Sequence, residues 1–241
     1  MNTQDINRRI RLVMDLRRKG IQDARVLGAM ERIPRDAFVP KAVKDQAWED
    51  MALPIGRGQT ISQPYVVAAM TQALELSDMD NVLEIGTGCG YQTAVLAKLC
   101  RRVYTIERHK ILLERAEKMF ERLKLRNITA IAADGMKGWP AFAKATARQA
   151  RISGNSVDQV CDEDVLFDKI IVTAAARENP PQALLDQLKP GGAMVIPVGP
   201  SGDQILKLYK KESDEAYSVR DLMSVRFVPL LPDIASDDEA A

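Results

Sequence analysis

The segment with the clearest chemical potential is a glycine-rich run, Glu84-Ile85-Gly86-Thr87-Gly88-Cys89-Gly90. Glycines at a strand-to-helix turn allow the backbone to approach a ligand closely. The spacing reads ExGxGxG, which matches the GxGxxG cradle for a pyrophosphate only imperfectly, and Glu84 would place a carboxylate near anionic phosphates. The pattern therefore favours a positively charged cofactor without pyrophosphate. The residues expected to bind it are Glu84, Gly86, Thr87, Gly88 and Gly90.

Two acidic residues follow the next two predicted strands. Glu107 ends the second strand, where a carboxylate can accept hydrogen bonds from both hydroxyls of a ribose. Asp134-Gly135 follows the third strand, where the carboxylate could accept one from the exocyclic amine of an adenine. Taken singly, each acid could also be an exposed residue or a helix cap. Together with the glycines they describe a slot shaped for adenosine.

The elements that must position these residues alternate between strand and helix. This alternation implies right-handed crossovers and a mostly parallel sheet covered on both faces, which is a doubly wound α/β domain. The predicted strands are 82–85, 103–106, 128–132, 169–172 and 193–196, and the predicted helices between them are 91–99, 111–125 and 182–188.

Segments outside this alternation complete the predicted organisation. Residues 1–60 read as a helical N-terminal layer whose part 38–59 is mostly irregular loop, and a further helix is predicted at 66–76. Two runs without a helix between them, 205–210 and 217–227, predict an antiparallel pair at the C-terminal end. We expect one domain over 1–232, interrupted by an insertion at 140–167, and a flexible acidic tail at 233–241.

Composition excludes several classes of protein. The 241 residues carry a formal net charge of +1, which disfavours a dedicated nucleic-acid binder. No apolar run approaches the ~18 residues of a membrane span. One histidine, His109, and three scattered cysteines offer neither a multi-histidine metal site nor a disulfide framework, and we expect no metal. We expect a cytoplasmic monomer that binds neither nucleic acid nor membrane.

The motifs together resemble one known family. The run VLEIGTGCGYQTAVLA resembles the first motif of class I S-adenosylmethionine-dependent methyltransferases, which have a Rossmann-like fold. Further segments resemble protein-L-isoaspartate O-methyltransferases, and the resemblance extends from about residue 25 to residue 230. These segments are GQTISQP at 58–64, FDKIIVTAAA at 167–176, LLDQLKPGGAMVIPVG at 184–199 and VRFVPL at 225–230.

The resemblance implies an activity and a set of site residues. It implies methyl transfer from S-adenosylmethionine to the free α-carboxylate of L-isoaspartyl residues, which form when asparagine or aspartate isomerises in a protein. The methyl ester then closes to a succinimide, which starts repair. The resemblance also implies Ser62 as the catalytic residue and Thr60, Ile61 and Val228 as substrate-binding residues. Two alternatives remain open: a methyltransferase for another substrate, and a non-catalytic partner protein that keeps the cofactor pocket.

Several of these residues also have an ordinary structural interpretation. Ser62 precedes a helix and could be its N-cap, although the resemblance favours the catalytic role. Trp48 and Trp139 are expected in the core or a lid, and His109 at the surface or as a helix cap. Cys89 is expected to be a small filler beside the cofactor, although a reactive thiol is the alternative.

Overall fold

The computed structural model describes residues 3–140, 165–213 and 216–236. The predicted insertion at 140–167 lies almost entirely outside these ranges, as do Cys161 and residues 237–241 of the predicted tail. Within the described parts of the chain, no helix is both long and apolar enough to cross a membrane.

Helices form the N-terminal layer, which confirms the prediction. The layer contains α1 (Thr3–Arg18), α2 (Ala24–Arg32) and the 3-10 turns Arg35–Ala37 and Lys41–Gln46. The helix α2 begins where the Asp23 carboxylate accepts hydrogen bonds from the backbone N–H groups of Arg25 and Val26. Leu16 of α1 and Leu27 of α2 are buried in the core, so the layer packs as part of the domain.

A small hairpin stands where the sequence predicts irregular loop. Its strands β1 (Leu53–Gly56) and β2 (Gln59–Ile61) pair antiparallel. The turn between them uses positive φ angles at Gly56, Arg57 and Gly58. Because β2 is only three residues long, its sequence carries too little alternation to be recognised as a strand.

The rest of the described chain alternates as predicted, with some different boundaries. In chain order the elements are α3 (Pro64–Ala73), β3 (Asn81–Ile85), α4 (Tyr91–Leu96), β4 (Arg102–Glu107), α5 (Lys110–Arg122), β5 (Ile128–Ala132), the 3-10 turn Gly135–Lys137, β6 (Phe167–Val172), α6 (Gln182–Asp186), β7 (Leu188–Val198), β8 (Gln204–Lys211) and β9 (Tyr217–Val225). All four helices of this part end before their predicted ends, and Leu188, expected in a helix, begins β7.

The sheet confirms the predicted fold class. Its strand order is β5-β4-β3-β6-β7-β8-β9. Strands β3 to β7 are parallel, whereas β8 pairs antiparallel with both β7 and β9. The strand order changes direction at β3, which lies between β4 and β6. In doubly wound sheets such a reversal opens a crevice at the carboxyl ends of the strands.

Apolar side chains cover both faces of the sheet. One cluster joins the N-terminal layer to α3, α4 and α5, and the other lies between the opposite face and α6. Trp48 and Trp139 are buried in these clusters, as expected. His109 is also buried, so the prediction of a surface position is wrong. It occupies the N-cap position of α5, but its side chain makes no capping hydrogen bond.

Candidate active site

A cavity of about 650 Å³ opens at the carboxyl ends of β3, β4 and β6. The end of the β1–β2 hairpin and the segment that follows β9 form its other walls. Nine of the twelve predicted site residues line it: Thr60, Ile61, Ser62, Gly86, Thr87, Gly88, Glu107, Gly135 and Val228. The remaining three, Glu84, Gly90 and Asp134, are not among the lining residues.

The glycine-rich loop forms the floor of the cavity, and hydrogen bonds from both sides hold it. Gly86 donates its N–H to Ile106 O at 2.8 Å, and the Thr173 hydroxyl donates to Gly86 O at 2.7 Å. Gly86 has φ +97°, and a Cβ there would lie 2.3 Å from the Thr173 hydroxyl oxygen. The backbone therefore reaches the cavity floor only because this position has no side chain.

Gly90 serves helix packing instead of lining the cavity. It is the left-handed N-cap of α4, with φ +87°. A Cβ at this position would come within 2.6 Å of the Phe120 ring and 3.0 Å of Ala116 Cβ, both on α5. The glycine thus allows the start of α4 to lie directly against α5, and its role in cofactor binding stays a prediction.

Glu107 connects the end of β4 to the glycine loop. Its Oε2 accepts a hydrogen bond from Gly88 N at 2.7 Å, and its Oε1 accepts one from His109 N at 2.9 Å. The residue is 5% exposed, and it lines the cavity. Each carboxylate oxygen has a second acceptor site, so Glu107 can still accept hydrogen bonds from two hydroxyl groups of a ligand.

Glu84 lies beneath the glycine loop, away from the cavity wall. Its Oε2 accepts hydrogen bonds from the hydroxyls of Thr93 at 2.5 Å and Thr105 at 2.7 Å. The Thr105 hydroxyl lies 2.6 Å from that of Thr87, which lines the cavity. Glu84 is therefore connected to the cavity indirectly, through Thr105 and Thr87, and its role in cofactor binding stays a prediction. Burial raises the pKa of Glu84 to about 8, because desolvation disfavours the carboxylate more than the two hydroxyls stabilise it.

This raised pKa predicts how stability depends on pH. A glutamate with a pKa near 4.5 in the unfolded chain and about 8 in the folded protein binds more protons when folded between these values. The free energy of unfolding should therefore fall as the pH rises from 4.5 to 8. Glu84→Gln removes this contribution, so the wild type should lose stability relative to the variant across that window. Urea unfolding of both proteins at several pH values measures the difference, and parallel curves would contradict the assignment.

Asp134 does not line the cavity, and neighbouring groups bind its carboxylate. Its Oδ1 accepts a hydrogen bond from Met136 N at 2.9 Å, and its Oδ2 lies 3.2 Å from Lys137 Nζ. Burial opposes ionisation, but hydrogen bonds from the backbone of Asp233 and Met136 lower the pKa of Asp134 overall. The carboxylate thus caps a turn and anchors the C-terminal segment, whereas the neighbouring Gly135 lines the cavity.

The described start of the predicted flexible tail is held against the domain. Ala235 donates its N–H to Arg108 O at 3.0 Å, and Asp233 lies 3.6 Å from Lys137 Nζ. Leu231, just before this segment, lines the cavity beside Arg108. Residues 233–236 therefore contact the domain close to the cavity, and the flexibility of the tail stays a prediction.

Ser62 lies on the cavity wall between β2 and α3. The N-cap residue of α3 is Gln63, and its side chain makes no capping hydrogen bond. The first-turn N–H of Tyr65 instead donates to Asp50 Oδ1 at 2.8 Å, and Gln63 Nε2 donates to Asp50 Oδ2 at 3.1 Å. Asp50, which is distant in the sequence, thus caps the start of α3, the structural role considered above for Ser62. The Ser62 hydroxyl is not needed to cap the helix.

Two residues that shape the cavity, Gln204 and Thr173, were not among the predicted site residues. Gln204 acts as a side-chain clamp: its Oε1 accepts from Phe227 N at 2.6 Å, and its Nε2 donates to Phe227 O at 3.1 Å. This clamp and a bond from Ala175 N to Val228 O at 2.8 Å fix the segment after β9. Thr173, which braces Gly86, was visible only as part of the FDKIIVTAAA resemblance. No local signal marked Gln204, because its partner is 23 residues away.

Comparison with known proteins agrees with this arrangement. The profile of the family "Protein-L-isoaspartate(D-aspartate) O-methyltransferase (PCMT)" matches residues 7–160 and 158–234. The protein-L-isoaspartate O-methyltransferase of Rhodospirillum centenum is 50% identical over 230 residues, which are 95% of this chain and 94% of that protein. The enzyme of the same name from Paramagnetospirillum magneticum is 52% identical over 230 residues, covering 95% of this chain and 96% of the relative.

Two solved structures extend the comparison to the fold. One, a protein-L-isoaspartate O-methyltransferase, superposes with a TM-score of 0.76 at 27% identity and covers 94% of this chain and 67% of its own. The other is a Plasmodium falciparum beta-aspartate methyltransferase in complex with S-adenosyl-L-homocysteine. Its TM-score is 0.69 at 25% identity, with coverage of 91% of this chain and 96% of its own.

Proposed function

The chain belongs to the protein-L-isoaspartate(D-aspartate) O-methyltransferase family, and on this premise we propose how its cavity performs the reaction. The enzyme transfers a methyl group from S-adenosylmethionine to the free α-carboxylate of L-isoaspartyl residues in damaged proteins. One observation carries the assignment of roles. Ser62, which does not cap α3, lines the same cavity as the glycine-rich loop and Glu107.

The chemistry of the cavity floor suits the cofactor. A Cβ at Gly86 would collide with the Thr173 hydroxyl, Gly88 has a positive φ, and Glu107 retains acceptor sites for two ribose hydroxyls. We assign Gly86, Thr87, Gly88, Glu107 and Gly135 to the cofactor, with Glu84 acting from below through Thr105 and Thr87. When bound, S-adenosylmethionine supplies a methyl group on a positively charged sulfur.

The protein's own residues have a limited task in this reaction. An α-carboxylate with a pKa of about 3.5 is already ionised at neutral pH, so a general base would add little. The useful contribution is orientation in a site with little water, which can lower the barrier by several kcal/mol. We assign this contribution to Ser62, whose hydroxyl donates to one carboxylate oxygen and leaves the other free to accept the methyl group. Thr60 and Ile61 extend the same wall.

The segment after β9 provides the opposite wall. Gln204 holds the backbone of Phe227, so the backbone at Val228 has a fixed position on the cavity. Damaged sites occur in many sequences, and a groove that reads the backbone of the isopeptide link tolerates varied side chains. We therefore assign Val228 to substrate binding through its main chain.

One assay tests the function directly. Labelled S-adenosylmethionine is incubated with the protein and either of two matched peptides that differ only in an aspartyl or isoaspartyl link. Base-labile label is expected on the isoaspartyl peptide alone. Label on both peptides would indicate another substrate class, and label on neither would indicate a protein that keeps the pocket without catalysis.

The setting of the enzyme is a separate part of the proposal. We place it in the cytoplasm as a monomer that binds neither nucleic acid nor membrane. The buried Cys100 and the cavity-lining Cys89 are free thiols, which suits a reducing compartment. The formal net charge of +1 gives no electrostatic preference for nucleic acid.

A further inference from the structure

Arg35 is a fully buried cation whose charge the reaction described above does not use. It lies at the start of the first 3-10 turn with 0% exposure. Among the described residues, no carboxylate lies within ion-pair distance of its guanidinium, and its Nη1 has no hydrogen-bond partner. Burying an unpaired charge is costly. Such a residue calls for an explanation beyond packing.

The guanidinium binds three carbonyl oxygens from separate segments. Its Nε donates to Ala47 O at 2.9 Å, and its Nη2 donates to Met51 O at 3.3 Å and to Ser62 O at 2.9 Å. The last of these fixes the main chain of the residue whose hydroxyl faces the substrate. The planar fork reaches these carbonyls from two separate nitrogens, whereas a lysine would present its three N–H donors from a single atom and would not match this geometry.

The same side chain lies immediately behind the cavity wall. Its Cζ is 5.0 Å from the centre of the Tyr91 ring. Tyr91, Ser62 and Ala52, which follows Met51, all line the cavity, whereas Arg35 does not. The nearby Asp50 carboxylate is occupied by Lys19, Gln63 and the Tyr65 N–H. Asp50 acts on Arg35 through its charge but makes no ion pair with it, and the guanidinium lies directly behind the wall formed by Ser62 and Tyr91.

We propose that Arg35 is a positioning residue that fixes Ser62 and provides a positive potential for the substrate α-carboxylate from behind the wall. This inference rests on the proposed function, because it requires a carboxylate as the reacting group. Arg35 does not touch substrate or cofactor, so its contribution acts through the backbone of Ser62 and through its field in a poorly solvated site.

The test separates charge from geometry with two variants and a matched control. Binding of an isoaspartyl peptide is compared with that of the same peptide carrying an α-carboxamide, by calorimetry in the presence of S-adenosyl-L-homocysteine. Arg35→Gln removes the charge but keeps an N–H donor, and Arg35→Lys keeps the charge but loses the fork. Arg32→Gln removes an exposed arginine three residues away and is the control.

Each variant has its own expected outcome. The preference for the acid over the amide peptide should fall about tenfold in Arg35→Gln and remain in Arg35→Lys and Arg32→Gln. Arg35→Lys should lower kcat about tenfold, because the Ser62 backbone is less well held. The affinity for S-adenosyl-L-homocysteine should change little in any variant.

Three results would overturn the inference or separate it from the proposed function. An unchanged acid-to-amide ratio in Arg35→Gln would exclude the electrostatic role. Should that variant fail to fold, an unchanged kcat in Arg35→Lys would still exclude the positioning role. A wild-type protein that does not methylate the isoaspartyl peptide would instead refute the proposed function itself.

Discussion

Replacing Ser62 by alanine is expected to lower kcat on an isoaspartyl peptide about a hundredfold, because removing one well-placed donor at the reacting group typically costs that much. The melting temperature should stay within a few degrees of the wild-type value. Asp50, and not Ser62, accepts the hydrogen bond from the first-turn N–H of Tyr65 in α3, so the variant loses no helix cap. Steady-state kinetics and a thermal melt on the same preparation measure both effects.

The control for this variant is Ser218→Ala, which removes a hydroxyl from the exposed strand β9. It should leave kcat and the melting temperature unchanged. Calorimetry should show that Ser62→Ala still binds S-adenosyl-L-homocysteine, because the glycine loop and Glu107 are intact. A Ser62→Ala protein with normal turnover and reduced stability would make this serine a structural residue.

Gly90→Ala is expected to have the largest effect on stability. The alanine would need φ near +87° and would place Cβ 2.6 Å from the buried Phe120 ring. Left-handed strain and overpacking each cost on the order of 1–3 kcal/mol, so a loss of about 3 kcal/mol is expected. For a chain of this size, that loss lowers the melting temperature by roughly 10 °C. Affinity for S-adenosyl-L-homocysteine should also fall, because the shifted α4 start carries the glycine loop with it.

Gly20→Ala distinguishes strain from packing. Gly20 has φ +98°, but nothing lies within 4 Å of a Cβ built on it. This variant should therefore lose only about 1 kcal/mol, from strain alone. Equal losses in the two glycine variants, measured by urea unfolding, would show that close packing against α5 is not the reason for a glycine at position 90.

The large sheet could be predicted because the alternation of apolar strands and amphipathic helices is repeated many times along the sequence. The short β1–β2 hairpin has no such repeated pattern. Five apolar runs separated by helical patterns indicate a parallel sheet even when helix ends are misjudged. The strand β2 has three residues, and its pairing depends on the Gly56-Arg57-Gly58 turn as much as on its own side chains. It could be recognised only with its partner β1 in place.

The site was predictable in location but only partly in detail. Spacing places Glu84, Glu107 and Asp134 near the same edge of the sheet, but it does not determine where each carboxylate points. Glu107 ends its strand and reaches the cavity, while Glu84 precedes the last residue of β3 and turns into the core. The carboxylate of Asp134 accepts a hydrogen bond from the backbone N–H of Met136, as aspartate side chains often do at turns, instead of facing the cavity. The partners Asp50 and Gln204 come from distant parts of the chain.

The restrained carboxylate of Asp134 also bears on how the enzyme itself ages. Asp134 precedes Gly135, and aspartyl-glycyl links are chemically prone to isomerise, since glycine offers little steric hindrance to attack by its nitrogen on the side-chain carbonyl. That attack proceeds through the protonated acid, whereas the lowered pKa of Asp134 keeps the group ionised. The bond from Met136 N also fixes the orientation of the carboxylate. We therefore expect this turn to isomerise more slowly than an unrestrained aspartyl-glycyl link, the kind of damage that the enzyme corrects in other proteins.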